Sequence, residues 1–212
     1  MCDIPYNLTL NGHTKSVRYK SISALTNVLL FMTTLSGHFL LYYHCKQAAY
    51  KGRLKVYSKY TVSRYNLGCD EDVKQYILDN RNDGEVITIK AFEKKFDSHY
   101  HFGAVEGLNC LEGKDINVVG LPNLDDSIYK LYGLLAGLSV EEVVKVDMRP
   151  MRIQYNGYDF KLHTFNNYRL RRIQLWNLNS LLEQAVGRAR LLRYDCEVRV
   201  FARFPIDQAE IM

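Results

Sequence analysis

The sequence predicts an α/β protein in which helices flank a parallel sheet and an antiparallel β-hairpin is inserted late in the chain. Three observations carry that expectation. Short β-prone apolar runs alternate with stretches of helical spacing through the first two thirds of the sequence, the pattern that right-handed crossover connections produce. Asn156-Gly157 then separates two β-prone segments, the strongest short hairpin signal. The composition, 47% apolar and 24% charged over 212 residues, is that of an ordinary globular chain with a real core. Only four prolines are present, too few for a Pro-rich linker, so 1–212 is expected to form a single domain with 150–176 as the hairpin insertion.

Taken in order, Ile22 to Leu35 has apolar residues at helical spacing and stops before Ser36-Gly37, a helix-ending pair. Phe39 to Tyr43 reads as a short buried strand, and Lys46 to Lys55 returns to helical composition. Asp70 to Asp79 is helical, opened by acidic side chains that suit the positive end of a helix dipole. Asn82-Asp83-Gly84 marks the turn into a strand over Val86 to Ile89, and Ile116 to Val119 forms another that stops at Gly120-Leu121-Pro122. Asp125-Asp126 caps a helix over Ser127 to Leu138. Beyond Pro150, Arg152 to Tyr155 and Tyr158 to Leu162 pair across the Asn-Gly turn. Leu178 to Leu192 forms an amphipathic helix with Leu178, Leu181, Leu182, Ala185, Ala189 and Leu192 on one face, and Val198 to Phe204 closes as a strand.

Composition narrows the function. Cys2, Cys45, Cys69, Cys110 and Cys196 are odd in number, scattered and without a C-x-x-C pair, which argues against a disulfide framework and for a reducing, cytoplasmic setting. Ser21 to Cys45 is uncharged and long enough to cross a bilayer, but its threonines, Asn27, Gly37 and two histidines favour a buried helix and core strand, so no membrane partner is expected. His99 and His101 lack ligand spacing and no metal site is expected; no Ser/His/Asp or Cys/His spacing marks a hydrolase. Charge is uneven: Arg149 to Arg203 holds eleven Lys/Arg against four Asp/Glu, net +7, in a chain of net +5. The last third therefore either faces a polyanion, nucleic acid or nucleotide phosphate, or is a solvated basic face.

The most informative segment is Glu183-Gln-Ala-Val-Gly-Arg-Ala-Arg190. Gln184 and Arg188 stand at i and i+4, on one helical face opposite the leucines, and Gly187 between them allows another surface to approach. Arginine suits a transferring phosphoryl group, because its planar, permanently charged fork neutralises charge spreading over the oxygens. The segment resembles the sixth motif, Q-x-x-G-R-x-x-R, of the second RecA-like domain of superfamily 2 helicases and translocases, with Gln184, Gly187 and Arg188 matching. The last arginine of the motif falls at Leu191, and Arg190 stands one residue earlier. The resemblance implies that Arg188 is an arginine finger on the γ-phosphate of ATP held by a neighbouring domain, with Gln184 close to the same nucleotide and Arg190 a further candidate. Upstream, Phe102 to Asn109 followed by Gly113 to Pro122 is similar to the fifth motif of the family, with Gly107 and Asn109 matching its R-G-x-D-like core and Asn in place of Asp. That turn is implied to couple the nucleotide to the nucleic-acid backbone; an ordinary loop is the alternative. Phe39 to Tyr43 is similar in position to the fourth motif, the first strand of the domain.

Arg152, Tyr155, Tyr158, Arg169, Arg171 and Arg172 set aromatic rings beside positive charge, as single-stranded nucleic acid requires, and the hairpin is expected to grip or separate strands. Phe160, Phe165, Tyr168 and Trp176 add further rings to this set; for Phe160, Phe165 and Trp176 the alternative is that they cover the sheet or an inter-domain surface. No G-x-x-x-x-G-K-[ST] loop is present: Gly107 to Asp115 has one residue too many, and Asp115 stands where a magnesium-binding hydroxyl belongs. The resemblance therefore implies a RecA-like, P-loop NTPase-type domain that uses ATP and Mg2+ only with a first RecA-like P-loop domain, in cis or in trans. The expected function is the C-terminal motor half of an ATP-dependent helicase or translocase on single-stranded or junction nucleic acid. The alternative is a non-catalytic nucleic-acid-binding or regulatory module on the same scaffold.

Overall fold

A computed structural model describes residues 49–105 and 108–212. The expected helix over Ile22 to Leu35, the strand over Phe39 to Tyr43, and Gly107 lie outside the described residues. Two strand systems are present. β1 (Arg53–Val56), β2 (Glu85–Thr88), β3 (Tyr100–His101) and β4 (Ile116–Val119) belong to a parallel sheet. β5 (Met148–Tyr155) and β6 (Tyr158–Phe165) form a separate antiparallel hairpin. β7 (Glu197–Phe201) and β8 (Glu210–Ile211) complete the sheet, whose order is β3-β2-β4-β7-β1-β8. The helices are α1 (Arg64–Cys69), α2 (Glu71–Asn80), α3 (Glu93–Phe96), α4 (Asp126–Leu135), α5 (Val140–Val144) and α6 (Tyr168–Val186), the last continued by a 3-10 turn over Gly187–Ala189.

The α/β architecture with its added hairpin is the expected one, and two elements differ in place. Arg53–Val56 is strand, not the end of a helix. Leu54 and Val56 are buried and β1 is paired on both sides, by β7 and β8, so tertiary pairing overrides the local composition. The long helix begins at Tyr168 rather than Leu178, because the Asn167 side chain accepts from the backbone N–H groups of Arg169 and Leu170 and caps it there. It ends at Val186, which leaves Ala189 in the 3-10 turn and Leu192 exposed.

The connections from β1 to β3 carry α1, α2 and α3 over one face, where Leu67, Val73, Ile77 and Phe96 pack with Val86, Val119 and Phe201. α6 covers the other with Leu178, Leu182 and Ala185 against Leu54, Ile87, Val118 and Val198. The chain leaving β7 joins that second cluster through Phe204 and Ile206. Neighbouring β1 and β7 thus send their chains to opposite faces, which makes their carboxyl ends a topological switch point, the place where open α/β sheets hold ligands.

The hairpin reverses at Asn156 (φ 48°) and Gly157 (φ 79°), two left-handed residues that match the strand twist. It is fastened to the sheet and α6 through the buried Gln174. Its amide nitrogen donates to the His163 carbonyl at 2.8 Å and to Asn123 Oδ1 at 2.9 Å, and its oxygen accepts from Thr164 Oγ1 at 2.5 Å. Asn123 lies just beyond the carboxyl end of β4, so the hairpin stands at the carboxyl edge of the sheet.

Candidate functional site at the two edges of the sheet

β4 and β7 are paired neighbours, so the segments that lead into them, 108–115 and 187–196, run side by side along the amino edge. Gly113 N donates to the Ala189 carbonyl at 3.1 Å, and the Asp115 carboxylate accepts from Glu197 N at 2.7 Å. Arg190 Nη2 donates to Asn109 Oδ1 at 3.3 Å, and Arg190 Nε lies 4.0 Å from Glu112. Tyr194 donates its hydroxyl to Glu112 at 2.9 Å, a bond that raises the phenol above its ordinary pKa. Asn109 and Arg190, which stand 81 residues apart in the sequence, are therefore brought together.

Gln184 lies in the last turn of α6, and Arg188 stands in the 3-10 turn with its Nε donating to the Gln184 carbonyl at 3.1 Å. Arg190 adopts the left-handed conformation (φ 58°), which costs a non-glycine residue roughly 1 kcal/mol and directs its side chain to Asn109. Outliers of this kind cluster at functional sites. Gly187, by contrast, has an ordinary helical φ of −62°, and a Cβ added there would meet nothing within 4 Å, so no contact within the chain requires glycine at this position. Lys114, in the segment that falls short of a phosphate loop, is bound to Glu85 at 2.8 Å.

At the carboxyl edge, four of the six residues expected to meet nucleic acid, Arg152, Tyr155, Arg171 and Arg172, line one groove of about 680 Å³ between the hairpin and α6. Tyr168 and Trp176 line it as well. Arg169 turns elsewhere, to Glu142 at 3.1 Å, and Tyr158 stays exposed by the hairpin turn, outside the groove. Tyr155 packs against Phe204 with ring centroids 5.4 Å apart, so part of its ring belongs to the core. Phe160 and Phe165 are buried, in keeping with the core alternative, whereas Trp176 is 40% exposed. Tyr168 is among the aromatic rings that the sequence sets beside positive charge, but its place beside Arg172 and Trp176 is not evident there. Its signal is the spacing Tyr168, Arg172, Trp176, which shares one face only once the helix is known to start at Tyr168.

His101 is bonded through Nδ1 to Glu93. Among the described residues no group of three or more His, Cys, Asp or Glu side chains forms a metal-binding cluster, and no helix is long and apolar enough to cross a membrane. No protein-family model matches the chain, and no match is found among curated proteins or solved structures.

Proposed function

We propose that this chain is the C-terminal, RecA-like motor half of an ATP-dependent nucleic-acid helicase or translocase, completed by a P-loop domain in cis or in trans. The observation that carries the reading is the contact of Arg190 with Asn109 at 3.3 Å beside the exposed Gly187 turn. An open α/β sheet holds its own ligands at the carboxyl edge. A turn carrying Arg188 and Arg190 at the amino edge, beside a glycine that leaves room for another surface, suits a nucleotide carried by a different domain. The donors there are guanidinium and amide groups, which fit phosphate oxygens and a ribose hydroxyl. Mg2+ takes carboxylate, phosphate and water oxygens, so the reading assigns it and the phosphate cradle to the first domain. In the assembled motor Arg188 neutralises charge developing on the transferring phosphoryl oxygens, Gln184 and Arg190 hold the turn that presents it, and Asn109 orients the sugar side.

The test measures ATP hydrolysis by this chain combined with a P-loop domain, with and without single-stranded nucleic acid. Arg188→Ala should lower kcat about a thousand-fold while strand affinity stays within two-fold, the magnitude seen for arginine fingers. Equal loss of both would sink the finger assignment. If no added P-loop domain yields strand-stimulated hydrolysis, the chain is instead a non-catalytic nucleic-acid-binding module.

A further inference from the structure

The charged side chains that line the groove between the hairpin and α6 are all of one sign. Arg152, Arg171 and Arg172 supply three guanidinium groups, and no Asp or Glu among the described residues lines it. The carboxylate facing Arg152, Asp159, is 3.8 Å away with both side chains more than half exposed, a pair that solvent screens. Tyr168 and Trp176 are 62% and 40% exposed, and Arg172 stands between them with its guanidinium carbon 5.6 Å from the Tyr168 ring centroid. Ile153 and Leu175 are buried beneath, and the Gln174 bonds to the hairpin fix the two walls relative to each other. Two exposed rings on one helical face, with cations between and opposite them, leave apolar area in water that folding alone does not use.

We propose that this groove is a cradle for unpaired nucleic acid, in which bases stack on Trp176 and Tyr168 while Arg152, Arg171 and Arg172 follow the phosphates. It rests on the strand-binding part of the proposed function and specifies the ligand: a single strand, held by base faces and backbone rather than by base edges. Every base has a π-face, so the cradle tolerates any sequence. In a duplex those faces are already stacked, so paired nucleic acid offers it only phosphates.

Trp176 is the only tryptophan in the chain, so its emission reports on this groove alone. The full chain is titrated with a labelled oligothymidylate of about 16 nucleotides and with a duplex of equal length, reading label anisotropy and tryptophan emission together. The single strand should quench Trp176 and the duplex should not. Trp176→Ala should weaken single-strand binding about ten-fold or more, with Trp176→Phe restoring most of it. Arg171→Ala with Arg172→Ala should lower affinity and flatten the slope of log affinity against log salt by about 1.4, two phosphate contacts' worth for a single strand. Because quenching is read on the unaltered protein, the outcome does not depend on a variant folding. The cradle is overturned if the chain binds no strand, if duplex binds equally well, or if strand binding leaves Trp176 emission and Trp176→Ala affinity unchanged. Arg188-dependent, strand-stimulated hydrolysis that survives any of these results leaves the motor reading standing; quenching without such hydrolysis does the reverse.

Discussion

Glu197 opens β7 at 5% exposure with three cations around it: Arg199 Nε at 2.5 Å, Lys55 Nζ at 2.9 Å and Arg53 Nε at 3.4 Å. Burial pushes its carboxyl pKa up, but the hydrogen bonds from Lys55 and Arg199 outweigh burial and the net shift is downward from 4.5. A carboxylate depressed in the folded state binds fewer protons there than when unfolded. Its stabilisation is therefore complete above about pH 4.5 and is lost as pH falls through the folded value. Glu197→Gln should lower stability by about 3 kcal/mol at pH 7, since it leaves Lys55 and Arg199 facing each other without their anion. Its deficit relative to the parent should shrink as pH drops below 4.5 in a series of thermal melts. A deficit that stays constant to about pH 3, well into the acid range of an ordinary carboxylate, would show that the charge contributes nothing. None of this is legible in the sequence, because the lysine and arginine of β1 meet Glu197 only through strand pairing. Residues whose role is local are legible: Asn156-Gly157 in its turn, and Asp125, whose side chain caps α4 as expected by accepting from Ser127 N.

At the scale of elements, strands and turns with local signals can be read from the sequence while β1 and the start of α6 cannot, and each case has a physical cause. α6 buries Leu170, Gln174, Leu175, Leu178 and Leu182, and Gln174 interrupts the apolar stripe at a core position, so periodicity alone places the helix start too late. That same glutamine joins three elements, with β6 on one side and Asn123, beyond β4, on the other. Gln174→Leu fills the space but strands Thr164 Oγ1 away from water and leaves the His163 carbonyl only the longer bond from Asn123 Nδ2 at 3.3 Å. An unmet buried polar group costs about 1–3 kcal/mol, so the variant should lose about 3 kcal/mol in urea unfolding. It should also speed amide exchange in β6 more than in β4, because the hairpin loses its fastening while the sheet does not. A loss below about 0.5 kcal/mol, within the range of a neutral surface change, would mean the network is incidental. The 3-10 turn that ends α6 is equally hidden: Gln184, Gly187 and Arg188 stand out by motif, but the tight turn and the left-handed Arg190 that bring the segment to Asn109 depend on β4 and β7 being neighbours.

Across the whole molecule, α6 is the member shared by both candidate sites. Its 19 residues span about 28 Å, from the groove at the carboxyl edge to the Gly187 turn at the amino edge. Along that axis Trp176 and Arg188 are separated by roughly 18 Å, well beyond the 7–10 Å within which substitutions usually couple. In this chain, with no nucleotide or strand bound, Trp176→Ala and Arg188→Ala should therefore be additive in thermal stability to within about 0.5 kcal/mol. The double variant should bind single strands no more weakly than Trp176→Ala alone, since Arg188 lies at the opposite edge from the groove. A coupling above about 1 kcal/mol in either measurement would require α6 to exist in two arrangements that both residues bias, because a rigid helix with independent ends transmits no energy between them. Additivity in the isolated chain combined with coupling after a P-loop domain is added would place the two-state element at the domain interface rather than within this fold.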